Sequence, residues 1–100
     1  LEVLVDRQAG ERRYVHLRVP GQDNVGIWLL QAENDDQLEQ VGRQAGAQPC
    51  AVFYTLNLEE DYERLEDNGV VFIVPPRTDG DSSFAHFLDL YGNQFILVEL

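Results

Sequence analysis

The chain nearly repeats itself, and this limits its architecture more than any other feature. Leu1-Glu2-Val3-Leu4-Val5 through His16 matches Val71-Phe72-Ile73-Val74-Pro75 through His86 at an offset of 70 residues, to within one residue at the start. Tyr14-Val15-His16-Leu17 aligns with Phe84-Ala85-His86-Phe87. Ile27-Trp28-Leu29-Leu30 aligns with Phe95-Ile96-Leu97-Val98, after a turn two residues shorter in the second copy. Identities are few, but a fixed offset is the mark of one supersecondary unit used twice. That unit reads strand–strand–strand. Residues 50–69 precede the second copy and read as a strand and a helix. Their counterpart in the first copy would fall before Leu1. The chain also contains no Met, so the expectation is that the gene product is longer or that its beginning was removed or not recorded; the alternative is a true fragment protein.

Composition narrows the function classes. One hundred residues, 44% of them hydrophobic, make one domain with a core. A net charge of −11 argues against nucleic acid, whose phosphates need cations, and equally against an anionic membrane surface. No apolar run approaches the roughly 18 residues of a membrane span. The single cysteine, Cys50, cannot form an internal disulfide, which fits a reducing cytoplasm. It is expected to be a buried thiol at a strand start rather than a nucleophile.

The local pattern predicts strands at Leu1–Asp6, Tyr14–Val19 and Gly26–Gln31. On the second, Tyr14, His16 and Arg18 share one face and Val15, Leu17 and Val19 the other. The continuous apolar run of the third predicts burial on both faces. Residues 33–49 form an acidic connector with a short helix over Asp36–Arg43. Ala51–Leu56 is a strand. Asn57 then caps a helix, with Glu60 completing a capping box and Leu58, Tyr62 and Leu65 at helical spacing. Asn68-Gly69 stops it. Glu59, Glu60 and Asp61 suit the helix N-terminus and need no catalytic explanation. Val70–Val74 is a strand ended by Pro75-Pro76, followed by a polar loop, a strand at Ser83–Leu88, a turn at Tyr91-Gly92-Asn93 and a last strand at Gln94–Leu100. The expected organisation is residues 1–32 as the back of a first module, 33–49 as connector and 50–100 as a complete β-α-β-β-β module.

The string VFYTLNLEEDYERLEDNGVVFIVPP followed by AHFLDLYGNQFILVEL resembles the second module of the vicinal oxygen chelate superfamily, which holds glyoxalase I, bleomycin-resistance proteins and extradiol dioxygenases. Phe87-Leu88-Asp89-Leu90-Tyr91-Gly92-Asn93 with Leu97-Val98-Glu99 is similar to the family ending F-x-D-P-x-G-N … L-x-E, with Leu90 in place of proline. RRYVHLRVPG and GIWLLQ resemble the back of the first module. The resemblance implies an α+β fold of paired β-α-β-β-β modules forming open half-barrels around a cavity, with the first strand and helix of module one absent from this chain. It also implies a homodimer. The family's metal-ligand positions fall on Trp28, near Ala51 and on Ile96, with another before Leu1. None of these three side chains can bind a metal. Glu99 lies three residues past the ligand position, on the opposite strand face. No metal and no cofactor are therefore expected; the alternative is a divalent metal held by unexpected ligands.

With Trp28, Ala51 and Ile96 facing the cavity, period two adds Leu30, Phe53, Thr55 and Val98. The apolar/polar split adds Tyr14, His16, Arg18, Phe84 and His86. The expected ligand-binding set is Tyr14, His16, Arg18, Trp28, Phe53, Thr55, Phe84, His86 and Ile96, an aromatic pocket with a few polar groups. The other reading of these aromatics is core or interface packing. His16 and His86, equivalent in the two copies, could bracket a ligand, act as acid and base, or be hydrogen-bonded strand histidines. Arg18 could meet a ligand carboxylate or form a surface ion pair. No G-x-S-x-G, P-loop or G-x-G-x-x-G is present. Asp79 and Asp81 around Gly80 lack the further ligands of a calcium loop.

The expected function is a cytoplasmic small-molecule binding protein of the glyoxalase/bleomycin-resistance type. Its ligand would be aromatic or amphipathic, and the acid excess suits a cationic one. The alternative is a metal-dependent lyase or ring-cleaving dioxygenase of the same superfamily. A third reading is a resistance-cassette remnant whose role is pairing with a partner chain.

Overall fold

The computed structural model describes residues 1–46 and 48–100, with Arg12 as backbone only. The elements run β1 (Glu2–Ala9), β2 (Arg12–Arg18), β3 (Ile27–Leu30), α1 (Asp35–Gln40), β4 (Ala51–Thr55), α2 (Leu58–Asp67), β5 (Val71–Asp79), β6 (Ser82–Leu88) and β7 (Gln94–Glu99). They fall into two compact units, Leu1–Asp35 and Asp36–Leu100.

The first unit is an antiparallel sheet in the order β1-β2-β3. Tyr14 pairs with Leu30, His16 with Trp28 and Leu17 with Ile27. The Arg13 guanidinium grips Asp6 by two parallel hydrogen bonds, Nε to Oδ1 at 2.8 Å and Nη2 to Oδ2 at 2.7 Å. These bonds hold the Asp6 carboxyl below its ordinary range. The apolar run of β3 is not buried: Ile27, Trp28, Leu29 and Leu30 are all exposed. Among the described residues β3 is an edge strand with one neighbour, and its side chains are solvent-exposed on both faces, Ile27 and Leu29 on one and Trp28 and Leu30 on the other.

The second unit is the complete β-α-β-β-β module, preceded by α1. Its sheet order is β4-β7-β6-β5, with β4 parallel to β7 and the other pairs antiparallel. Helix α2 is the crossover between β4 and β5. Asn57 caps it: the Glu60 N–H donates to Asn57 Oδ1 and Asn57 Nδ2 donates back to Glu60 Oε2, both at 3.1 Å. A second N-terminal N–H, that of Leu58, reaches Glu99 Oε1 at 3.0 Å, so the end of β7 also serves the helix. The helix stops where Gly69 takes φ +89° and the Val70 N–H donates to the Leu65 carbonyl at 3.0 Å.

The helix packs on one face of this sheet. Leu58, Ala85 and Leu97 are buried there, with Phe53, Leu65, Phe72 and Phe87 against them. Phe53 lies 5.7 Å from Phe95 and 6.3 Å from Phe87, centroid to centroid, and Tyr62 meets Phe72 edge-on at 4.7 Å. Full burial of a side chain such as Leu58 contributes about 2 kcal/mol. Thr55 belongs to the same side. Its hydroxyl donates to Asp61 and accepts the Asn57 N–H at 3.1 Å.

This arrangement corrects the expected facing of β4. Phe53 pairs with Leu97 and Thr55 with Glu99, whereas Val52 pairs with Ile96. Phe53 and Thr55 therefore point toward α2, and Val52 and Tyr54 share the face of Ile96. Ala51, paired with Phe95, also lies on the helix side. Two smaller expectations change as well. Strand β5 continues through Pro75-Pro76 to Asp79, because it is an edge strand and a register shift between Val74 and Arg77 absorbs the residues that lack an N–H. Cys50 is exposed rather than buried.

The Asp89–Asn93 turn explains the family signature. Asp89 Oδ1 accepts the Tyr91 N–H at 3.0 Å and the Asn93 N–H at 2.8 Å, and Asn93 Nδ2 donates to Asp89 Oδ2 at 2.8 Å. The Asn93 carboxamide oxygen accepts the Gln44 N–H at 3.0 Å, which fastens the connector to the turn. Gly42 sits against the same turn with φ +78°, where an added Cβ would collide with the Tyr91 carbonyl.

Two predictions follow from these contacts. Gly42→Ala should lower the unfolding free energy by about 2 kcal/mol or more, from φ strain plus backbone collision. Gly46→Ala, with φ +65° but open space around it, should cost only about 1 kcal/mol. Urea titration of both variants measures the gap, and equal losses would contradict the close approach. The second concerns Asp61, whose carboxyl is held below its ordinary range by the Thr55 hydrogen bond first, with the Arg64 guanidinium at 3.2 Å assisting and burial opposing. A lowered folded-state value stabilises the fold above the unfolded value, and that contribution is lost as pH falls through the folded one. Thr55→Val should therefore destabilise the fold at neutral pH and flatten the loss of stability below about pH 4. An unchanged acid limb in pH-dependent denaturation would rule this out.

Candidate functional site

The expected site residues separate onto two sheet faces, one in each unit. In the first, strands β2 and β3 bring Tyr14, His16 and Trp28 together by period two and by the His16–Trp28 pairing. The Tyr14 and Trp28 rings stack at 5.9 Å and 27°, and His16 meets Trp28 edge-on at 5.7 Å. Trp28 is 54% exposed, so a large aromatic surface remains open to a partner molecule. Leu30 pairs with Tyr14 and shares this face. Arg18 lies on it too, but its guanidinium is taken by Glu2 at 2.8 Å and Asp23 at 3.4 Å.

In the second unit, Phe84, His86, Ile96 and Val98 share the face turned away from α2, set by the pairings Phe84–Val98 and His86–Ile96. The Phe84 and His86 rings are 5.7 Å apart. Two residues absent from the expected set stand here as well. Tyr54, paired with Val98, is exposed. The Arg77 guanidinium carbon lies 5.3 Å from the Phe84 ring centroid. The repeat offset carried the signal for Arg77, since Arg7 occupies the matching place in the first copy. Phe53 and Thr55 are not part of either aromatic face, for the register reason given above. A polar cleft of about 260 Å³ also opens at the start of α2, lined by Leu58, Glu59, Pro76, Arg77, Thr78, Ser83 and Glu99. Two carboxylates and a satisfied helix cap give it a structural character.

The residues present do not fit a family-type metal centre. On the faces just described, the ligand positions hold Trp28, Ile96 and, in the observed register, Val52 in place of Ala51. Indole and hydrocarbon offer no lone pair to a cation. Glu99 points to the helix side and accepts from Leu58. Among the described residues no three His, Cys, Asp or Glu side chains cluster closely enough to hold an ion. Among the described residues no helix is long and apolar enough to cross a membrane.

Comparison with known proteins bears on the fold. No family model matches the chain. A relative from Shewanella frigidimarina (strain NCIMB 400), described only as an uncharacterized protein, is 34% identical over 93 residues, covering 90% of this chain and 67% of the relative. Among solved structures, UcmS2 matches with a TM-score of 0.82 at 25% identity, over 97% of this chain and 77% of its own. A member of the glyoxalase/bleomycin resistance protein/dioxygenase superfamily from Sphaerobacter thermophilus DSM 20745 matches at 0.68 and 25% identity, over 88% and 67%. TnmS3, an antibiotic binding protein from Streptomyces sp. CB03234, shares the fold at 0.73 and 20% identity, over 98% and 74%. The β-α-β-β-β module and these likenesses agree: the chain has the fold of the glyoxalase/bleomycin resistance protein/dioxygenase superfamily and is similar in sequence to its Sphaerobacter member.

Proposed function

We propose that this protein is a metal-free, cytoplasmic, homodimeric binding protein for an aromatic or amphipathic small molecule. The observation that carries the reading is the open aromatic face built by Tyr14, His16 and Trp28, with a matching face at Phe84 and His86 in the second unit. Stacked, half-exposed rings offer a flat apolar surface, and the histidines and hydroxyl beside them orient a polar substituent. The shared fold of TnmS3, an antibiotic binding protein, supports the same reading. The donor-free chemistry at Trp28, Val52 and Ile96 favours binding over a metal-dependent lyase or dioxygenase. An exposed free thiol at Cys50 suits a reducing compartment. The open outer edges of β3 and β4, among the described residues, suit pairing of copies.

Trp28 is the sole tryptophan, so its fluorescence reports on one site. A neutral fused-ring probe, 2-naphthalenemethanol, should quench it saturably. Trp28→Ala should weaken the calorimetric affinity for the probe by about tenfold, the loss of roughly 1.4 kcal/mol of ring contact. Binding that leaves Trp28 emission and the variant's affinity untouched would refute the assignment. Purified protein dialysed against zinc, nickel, manganese or iron and then against buffer should retain less than stoichiometric metal; stoichiometric retention would restore the metal-dependent alternative.

A further inference from the structure

The repeat duplicates more than strands. Arg7 stands opposite Tyr14 in the β1–β2 pairing, and Arg77 stands opposite Phe84 in the β5–β6 pairing. His16 and His86 follow two residues on, on the same faces as Tyr14 and Phe84. Each unit therefore presents one arginine, one aromatic ring and one histidine in equivalent register. The extra register shift at Pro75-Pro76 in β5 leaves this part of the match intact.

These two arginines behave unlike their neighbours. The chain has eighteen acidic residues against seven basic ones, all of them arginine. Among the described residues Arg13, Arg18 and Arg64 each pair with a carboxylate. Among the described residues Arg7 and Arg77 have no carboxylate within ion-pair distance. Asp6, beside Arg7 in sequence, pairs on the other face of β1 and gives both its oxygens to Arg13. Glu99, which lines the polar cleft together with Arg77, accepts from the α2 N-terminus instead. Arg43 likewise has no carboxylate partner among the described residues, but it lies in the connector, outside both sheets. The Arg77 guanidinium lies over the Phe84 ring, which leaves its planar edge of N–H donors free.

We infer that the Arg7–Tyr14–His16 and Arg77–Phe84–His86 faces select an aromatic ligand bearing an anionic oxygen substituent, such as a carboxylate. This rests on the binding function proposed above and names its ligand class. The ring takes the flat apolar part, and the guanidinium and imidazole donate to the oxygens. The acid excess of the whole chain suits a cation, but it acts through solvent and is screened within about 10 Å at ordinary salt. The arginines act at contact, where an ion-paired hydrogen bond outweighs that distant field.

Calorimetry on the full chain with three matched probes tests this: 2-naphthoate, 2-naphthalenemethanol and 2-naphthylmethylammonium. The naphthoate should bind about tenfold tighter than the alcohol, and the ammonium no tighter than the alcohol. Arg7→Gln or Arg77→Gln should abolish the preference for naphthoate, read as the ratio of naphthoate to alcohol affinity within each variant; loss of that ratio in either variant supports the inference. Arg43→Gln, which changes net charge equally, should keep it. Circular dichroism verifies that each exposed-site variant is folded. Equal or tighter binding of the alcohol or the ammonium, survival of the preference in both sheet variants, or its loss in Arg43→Gln would each overturn the inference while leaving the binding function standing. Failure of all three probes to bind would overturn both.

Discussion

The register of β7 between β4 and β6 is the constraint on which the second unit depends. Leu97 lies between Phe53 and Ala85, so these three face α2 together and make the core. Side chains alternate along a strand, and a slip of one residue would bring Ile96 inward and expose Leu97. The chain secures β7 at both ends. At its start the Asp89 carboxylate and the Asn93 carboxamide close the turn, and the Gln44 N–H holds that turn to the connector. At its end Glu99 accepts from Leu58 and ties the strand to the helix N-terminus. Polar contacts of this kind are each worth about 1 kcal/mol net, but they choose the register in which the apolar contacts become available.

Several acidic residues thereby acquire structural work. Asp6 receives the Arg13 fork, Asp61 receives the Thr55 hydroxyl, Glu60 completes the capping box and Asp89 organises the turn. Glu2 and Asp23 hold Arg18, and Glu99 serves the start of α2. Against that background, arginines without carboxylate partners on aromatic faces stand out as groups kept free for something else. The two faces are not identical. Where the first unit has Trp28 beside His16, the second has Ile96 beside His86. Duplication set the frame, and divergence at the third strand gave the first face its large ring.

Much of this was legible in the residues. The offset of the repeat anticipated which strands correspond, and the observed pairings His16–Trp28 and His86–Ile96 reproduce it. Asn57, Glu60 and Asn68-Gly69 marked both ends of α2 because capping needs only neighbours in sequence. Glu99 was correctly placed off the face of Ile96 by counting along one strand. The facing of β4 was not legible. Phe53 and Thr55 alternate with Val52 and Tyr54, and each pair is equally plausible as the inward set until β7 chooses between them. The exposure of β3, the passage of β5 through two prolines and the accessibility of Cys50 failed for a related reason. Each depends on whether a neighbouring strand is present and on which side.

Sequence alone therefore determined the elements, their order and their duplication, because these follow from local periodicity and residue type. Tertiary structure alone decided which of two alternating faces became core and which became aromatic surface. It also decided which arginines found carboxylates. Those outcomes depend on pairing between residues distant in the chain, and in a structure of period two a single step in that pairing exchanges inside for outside.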